Sequence, residues 1–150
     1  MKQIAAIFIG GGIAGALDIT YAITVHFVTR GIKPIVILQS VASGVQGAEA
    51  YKGGVPSGLL GLGLHFFMTI LMAIAYNLAS KLFPVLTEKP VIAGAAYGVM
   101  LYFIMNYVVV PLSLAVPGRP PMGWHILGAM FAHTCLVAIP IALAASKVGR

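Results

Sequence analysis

The stretch Ile4 to Thr29, IAAIFIGGGIAGALDITYAITVHFVT, decides the fold: it is one long apolar run with a single acid, Asp18, near its middle. About 20 apolar residues at 1.5 Å rise each cross the hydrocarbon of a bilayer, so the run is long enough to span one. An ionised side chain at mid-depth costs roughly 3 kcal/mol, so Asp18 must find a partner or stay protonated. The rest of the chain is therefore read for what it can bring to that residue.

The glycines of the same stretch admit a rival reading. Gly10, Gly12 and Gly15 match G-x-G-x-x-G, the turn of a dinucleotide-binding unit. That motif needs a preceding strand, a βαβ unit and an acid about 20 positions on. The chain at that distance reads TRGIKPIVI, without an acid, and no soluble sheet follows. The glycines are better explained as a close-packing face: Gly11 and Gly15 form GxxxG, and Gly10 with Ala14 repeats the small-xxx-small spacing. No nucleotide is expected.

Composition agrees. The chain is 60% hydrophobic and 8% charged, against roughly 25% charged residues in a soluble domain. Its net charge of +6 would suit nucleic acid, but the nine basic residues stand singly at the ends of apolar runs. They flank membrane spans and form no phosphate-binding patch, so no nucleic-acid partner is expected. The lone Cys135 lies in an apolar run and has no intrachain disulfide partner. The N-terminus has signal-peptide features in Lys2, the apolar Ile4 to Ile13 and the A-x-A-like Ala14-Gly15-Ala16. The apolar run nevertheless continues past Asp18 to Val28, so an uncleaved first transmembrane helix is expected.

Four spans are predicted in a single integral domain, residues 1–150: 4–29, 57–83, 91–113 and 123–146. Prolines mark their borders, with Pro56 before the second span, Pro84 after it and Pro90 before the third. The run Val116 to Pro121 precedes the fourth. Proline fits a first helical turn and stops a helix just past its end. Pro140 is read as the one proline inside a span and predicts a kink in the fourth helix. Between the first two spans, residues 34–54 carry Ile35, Leu38, Ala42 and Val45 on one helical face and Gln39, Ser43 and Gln46 on another. This segment is too short and polar to span, and reads as an amphipathic surface helix or a re-entrant piece ended by Gly53-Gly54. The fold class is an all-α membrane protein, a four-helix bundle with this extra short helix.

A parallel two-plus-two repeat is also legible. Ile13-Ala14-Gly15-Ala16 recurs as Ile92-Ala93-Gly94-Ala95, and Gly63, Phe66, Thr69, Leu71, Ala73 and Ile74 match Gly128, Phe131, Thr134, Leu136, Ala138 and Ile139. Basic residues divide five to four in favour of both termini lying on the cytoplasmic side,.

The layout resembles the YagU-like group of small bacterial inner-membrane proteins. The resemblance lies in the glycine-rich first helix, an extramembrane segment, LGLHFFMTILMAIAY, a third helix ending NYVVVPLS, and GAMFAHTCLVAIPIALAASK. It covers most of the chain from about Gly58 onward. It implies an inner-membrane location with the N-terminus inside, and carries over no activity and no site residues.

Counting 1.5 Å per residue from the outer ends, Asp18 lies roughly 15 Å deep, His65 and His133 roughly 12–15 Å, and Asn106 roughly 10 Å, with Tyr102 one turn further in. One residue from each span can reach this common layer, and polar groups at that depth face the bundle interior. Read structurally, the layer is a hydrogen-bonded knot in which Asp18 accepts from an imidazole and Asn106 and Tyr102 satisfy the remainder. The chain is then a structural or interaction subunit, with no cofactor expected. Its GxxxG faces (Gly11 with Gly15, Gly94 with Gly98) would dock onto a second copy or a membrane-protein partner. Two alternatives stand beside this. The layer can be a proton or ion path using Asp18 and His133. Alternatively, His65 and His133 can ligate a haem or, with Asp18, a divalent metal. His26 and His125 fall near the outer ends, with Trp124 as an interfacial anchor, while Thr69, Tyr76, Met68 and Met72 read as core. Arg119 is a candidate for lipid phosphate. The acids Asp18, Glu49 and Glu88 fall in different layers and no nucleophile has a base at motif spacing, so no enzyme is expected.

Overall fold

The computed structural model describes residues 2–116 and 123–147. Four helices are long and apolar enough to cross a membrane: α1 (Lys2–Arg30), α3 (Gly54–Leu82), α5 (Pro90–Leu112) and α6 (Trp124–Ser146). The short helices α2 (Pro34–Gln46) and α4 (Val85–Glu88) lie between them. The turn predicted from Val116 to Pro121, with Arg119, falls largely outside the described residues.

The side chains are sorted as a lipid-solvated bundle requires. Small residues lie inside (Ala14, Ala73, Ala138, Ala142), while Phe8, Phe67, Leu78, Phe103 and Leu127 point outward. Lipid tails are as apolar as leucine, so burying large side chains gains little and close backbone approach gains more. The glycines set the neighbours. A Cβ on Gly11 or Gly15 would press into Ile70, Thr69 and Phe66 of α3, and one on Gly10 would meet Ala144 and Ile141 of α6. On α5, Gly94 meets Ile139 and Ala142 of α6, and Gly98 meets the α6 backbone at His133 and Thr134. The ring order is therefore α3–α1–α6–α5. It closes where Tyr97 of α5 donates to the Met72 carbonyl at 2.9 Å and stacks edge-on against Tyr76 at 5.1 Å. Tyr76 in turn donates to Leu86 at 2.8 Å and holds α4 under the bundle.

The small-residue faces of α1 and α5 are thus packed against α3 and α6 within the chain. The two glycine contacts also test the repeat. Gly15 meets Thr69, but Thr134 meets Gly98 and not Gly94, so the α1–α3 and α5–α6 pairs pack one helical turn out of register.

Helix α3 starts three residues earlier than predicted, because Pro56 sits inside its first turn, where its missing N–H would be unpaired in any case,. Pro111 lies within α5 as well, so Pro140 is not the one proline inside a span. Each is accommodated in the same way. A π turn, Met105–Val109 or Ala132–Ala138, ends two residues before the proline. The wider turn makes room for a ring that would clash with the carbonyl four residues back, and re-pairs the freed carbonyls.

Segment 34–54 is not one helix. It is α2 followed by a 3₁₀ turn over Gly47–Lys52, with Gly47 at φ +59° where a side chain would be strained,. Helix α2 crosses α3 at Gly61, where a Cβ would overlap the Leu38 carbonyl. Gln39 (5% exposed) and Ser43 (1%) are buried together with Ala42, whereas Gln46 and Val45 are exposed. Gln39 Nε2 donates to the Gly54 carbonyl at 3.1 Å, and Ser57 Oγ donates to Gln46 Oε1 at 2.7 Å. At the far side the Leu114 N–H donates to Gly44 at 2.9 Å. Helix α2 therefore packs on α3 through a mixed polar and apolar face. Gln39→Leu is expected to lower the thermal midpoint in detergent, at a cost of about 1–2 kcal/mol. A silent substitution would mean that the polar face meets water.

Candidate functional site

The site begins with a missing side chain. Because Gly15 has no Cβ, Phe66 and Thr69 of α3 approach the α1 backbone, and His65, one residue before Phe66, reaches it too. His65 Nε2 lies 2.9 Å from the Gly15 carbonyl. A carbonyl only accepts, so this nitrogen carries the proton. Asp18, less than a turn further along α1, places Oδ2 3.9 Å from the same Nε2.

Helix α6 supplies the second imidazole. His133 lies in the π turn, with Nδ1–H donating to the Ala129 carbonyl at 2.9 Å. Its ring meets the buried Tyr102 of α5 edge-on at 5.9 Å. Asn106, one turn along α5, donates Nδ2–H to the Tyr102 carbonyl at 2.8 Å. The contacts join the five residues expected to share a layer in two groups, His65 with Asp18, and His133 with Tyr102 and Asn106.

The expected knot of side-chain hydrogen bonds is not what joins them. The 3.9 Å approach of His65 to Asp18 exceeds hydrogen-bonding distance,. Among the described residues no side-chain donor reaches the carboxylate, and both imidazoles and Asn106 bond backbone carbonyls instead. Such carbonyls lie on each side chain's own helix or on the glycine-thinned neighbour, and no sequence spacing reports them. The carboxylate is also not sealed in, being 22% exposed against 11% for His65.

With one nitrogen of each imidazole committed to a carbonyl, His65 Nδ1 and His133 Nε2 are left to take a ligand. Among the described residues, no group of three or more His, Cys, Asp or Glu side chains is disposed to hold a metal ion. The three acids lie apart: Glu49 pairs with Lys52 at 2.8 Å in the 3₁₀ turn, and Glu88 ends α4 at the opposite end of the bundle.

The end of the bundle where α1 finishes and α6 begins carries a pair that the sequence analysis did not foresee. Arg30 Nη2 donates to His125 Nε2 at 3.0 Å, and Trp124 stacks on His125 at 4.1 Å. Both residues end spans on one side of the membrane, and that shared level was the available signal. His26 Nδ1–H turns back to the Ala22 carbonyl at 2.8 Å. Thr69 and Tyr76 are buried in the core as expected.

No family model, curated protein or solved structure matches the chain. Its fold and apolar helices define a small polytopic integral membrane protein, with side chains that can carry protons meeting inside the bundle.

Proposed function

We propose that this is an inner-membrane protein that passes protons or small cations, with Asp18 as the group that takes up and releases the charge. His65 and His133 supply neighbouring imidazoles, each with one ring nitrogen not engaged by a carbonyl. The observation that carries this reading is the open coordination of Asp18, a carboxylate 3.9 Å from the His65 imidazole and, among the described residues, hydrogen-bonded to no side chain. A structural knot spends a carboxylate's acceptors on donors, because an unpaired one in an apolar layer costs more than the bonds return. Here the imidazole protons go to backbone carbonyls, which holds each ring in one tautomer and leaves Asp18 free to bind a proton or cation,.

An interaction subunit is the weaker reading, since the GxxxG faces are already filled by α3 and α6. The helix pattern from about Gly58 onward supports placement with the YagU-like group, and with it cytoplasmic termini.

The test is flux in proteoliposomes under an imposed pH or cation gradient. Asp18→Asn keeps the shape and removes the exchangeable charge, so flux should fall about tenfold or more while the protein stays folded. Equal flux through the two proteins, or none through the unsubstituted chain, would overturn the proposal.

A further inference from the structure

We propose that the groove between α1 and α6 binds one acyl chain of an anionic phospholipid, with Lys2 and Lys147 on its headgroup phosphate. The groove is separate from the Asp18 layer and does not depend on the reading of that layer. Its cavity volume is about 580 Å³, within the range of ligand sites,. It exists because Gly10 draws α1 against Ala144 of α6, while the short side chains of Ala5 and Ala144 leave a trough. Ile9, Ile13 and Leu143 wall it.

Charge and length together name the occupant. Among the described residues, the charged side chains lining the groove are Lys2 and Lys147, which lie at the same end, and no carboxylate side chain lines it. From Lys2 to Ile13 the trough runs about 16 Å along α1, close to the roughly 15 Å of one leaflet's hydrocarbon. An apolar channel one leaflet deep, closed at its headgroup end by two ammonium groups, matches a lipid with a negative head. A detergent-like neutral chain would leave the lysines unused, and a free phosphate would leave the trough empty.

The experiment is retention of phosphatidylglycerol against phosphatidylcholine by the purified full chain, read by native mass spectrometry. The unsubstituted protein should prefer phosphatidylglycerol, and Lys2→Gln with Lys147→Gln should remove that preference, about fivefold per lysine. Lys81→Gln, at the same end but lining a neighbouring polar cleft with Gln3 and Asn77, should leave it intact. Ala5→Phe, at an exposed position, should fill the trough and reduce retention of both lipids without lowering the thermal midpoint. Three results would overturn the proposal. They are equal retention of the two lipids by the unsubstituted chain, loss in Lys81→Gln as large as in the double variant, and no effect of Ala5→Phe.

Discussion

Gly98→Ala is expected to separate α5 from α6 and to lower the thermal midpoint sharply, while Gly12→Ala, in the glycine run of α1, leaves the bundle intact. At Gly98 a Cβ would lie 2.8 Å from the His133 carbonyl and 2.9 Å from the Thr134 nitrogen. These are backbone atoms of a π turn, and no rotamer change can move them aside. Overpacking of this kind costs about 1–3 kcal/mol per inserted group, and Gly98→Leu should exceed that and yield no monodisperse protein. At Gly12 nothing lies within 4 Å of a Cβ. There the methyl group removes about 0.5–1 kcal/mol of glycine's helix penalty. The pair is measured by thermal unfolding and size-exclusion profiles in detergent. A Gly98→Ala protein that melts with the unsubstituted one would show that the α5–α6 contact is looser than 2.8 Å implies.

The second large effect is a dissociation at Asp18. Sequence reasoning alone predicts that Asp18→Leu loosens the bundle, because it strands the polar groups of the carboxylate's partner. The geometry reverses that expectation. His65 keeps the Gly15 carbonyl and His133 keeps the Ala129 carbonyl whether or not Asp18 is present. Removing the acid therefore strands no donor, and it takes a costly carboxylate out of an apolar layer. Asp18→Leu should fold with an unchanged or raised thermal midpoint and have no gradient-driven flux. A destabilised Asp18→Leu protein would mean that Asp18 holds the helices together through bonds shorter than the 3.9 Å separation.

The spans were legible in the sequence because crossing a bilayer is a local property, set by length at 1.5 Å per residue and by mean hydropathy. Gly11, Gly15, Gly94 and Gly98 were legible as packing positions for a related reason: close approach needs small residues four apart on one helix. The common depth of Asp18, His65, Tyr102, Asn106 and His133 followed from the same counting, which places residues along each helix but not opposite one another.

What each of these residues meets depended on how the helices rotate and cross, which pairs segments distant in the chain. Hydropathy could not say that Gly98 faces the α6 backbone and Gly15 faces Phe66. Nor could a helical wheel tell which residues of α2 pack on α3: Gln39, Ala42 and Ser43 are buried while Gln46, on the same polar face as Gln39, is exposed. Gln39 accordingly spends its amide on Gly54, a residue beyond the next turn. The partners of the two layer histidines are backbone carbonyls, which every residue carries and no sequence pattern singles out,. Tertiary packing thus left Asp18 3.9 Å from an imidazole already engaged with the Gly15 carbonyl, a separation that depends on how α1 and α3 cross and that no spacing within one helix reports.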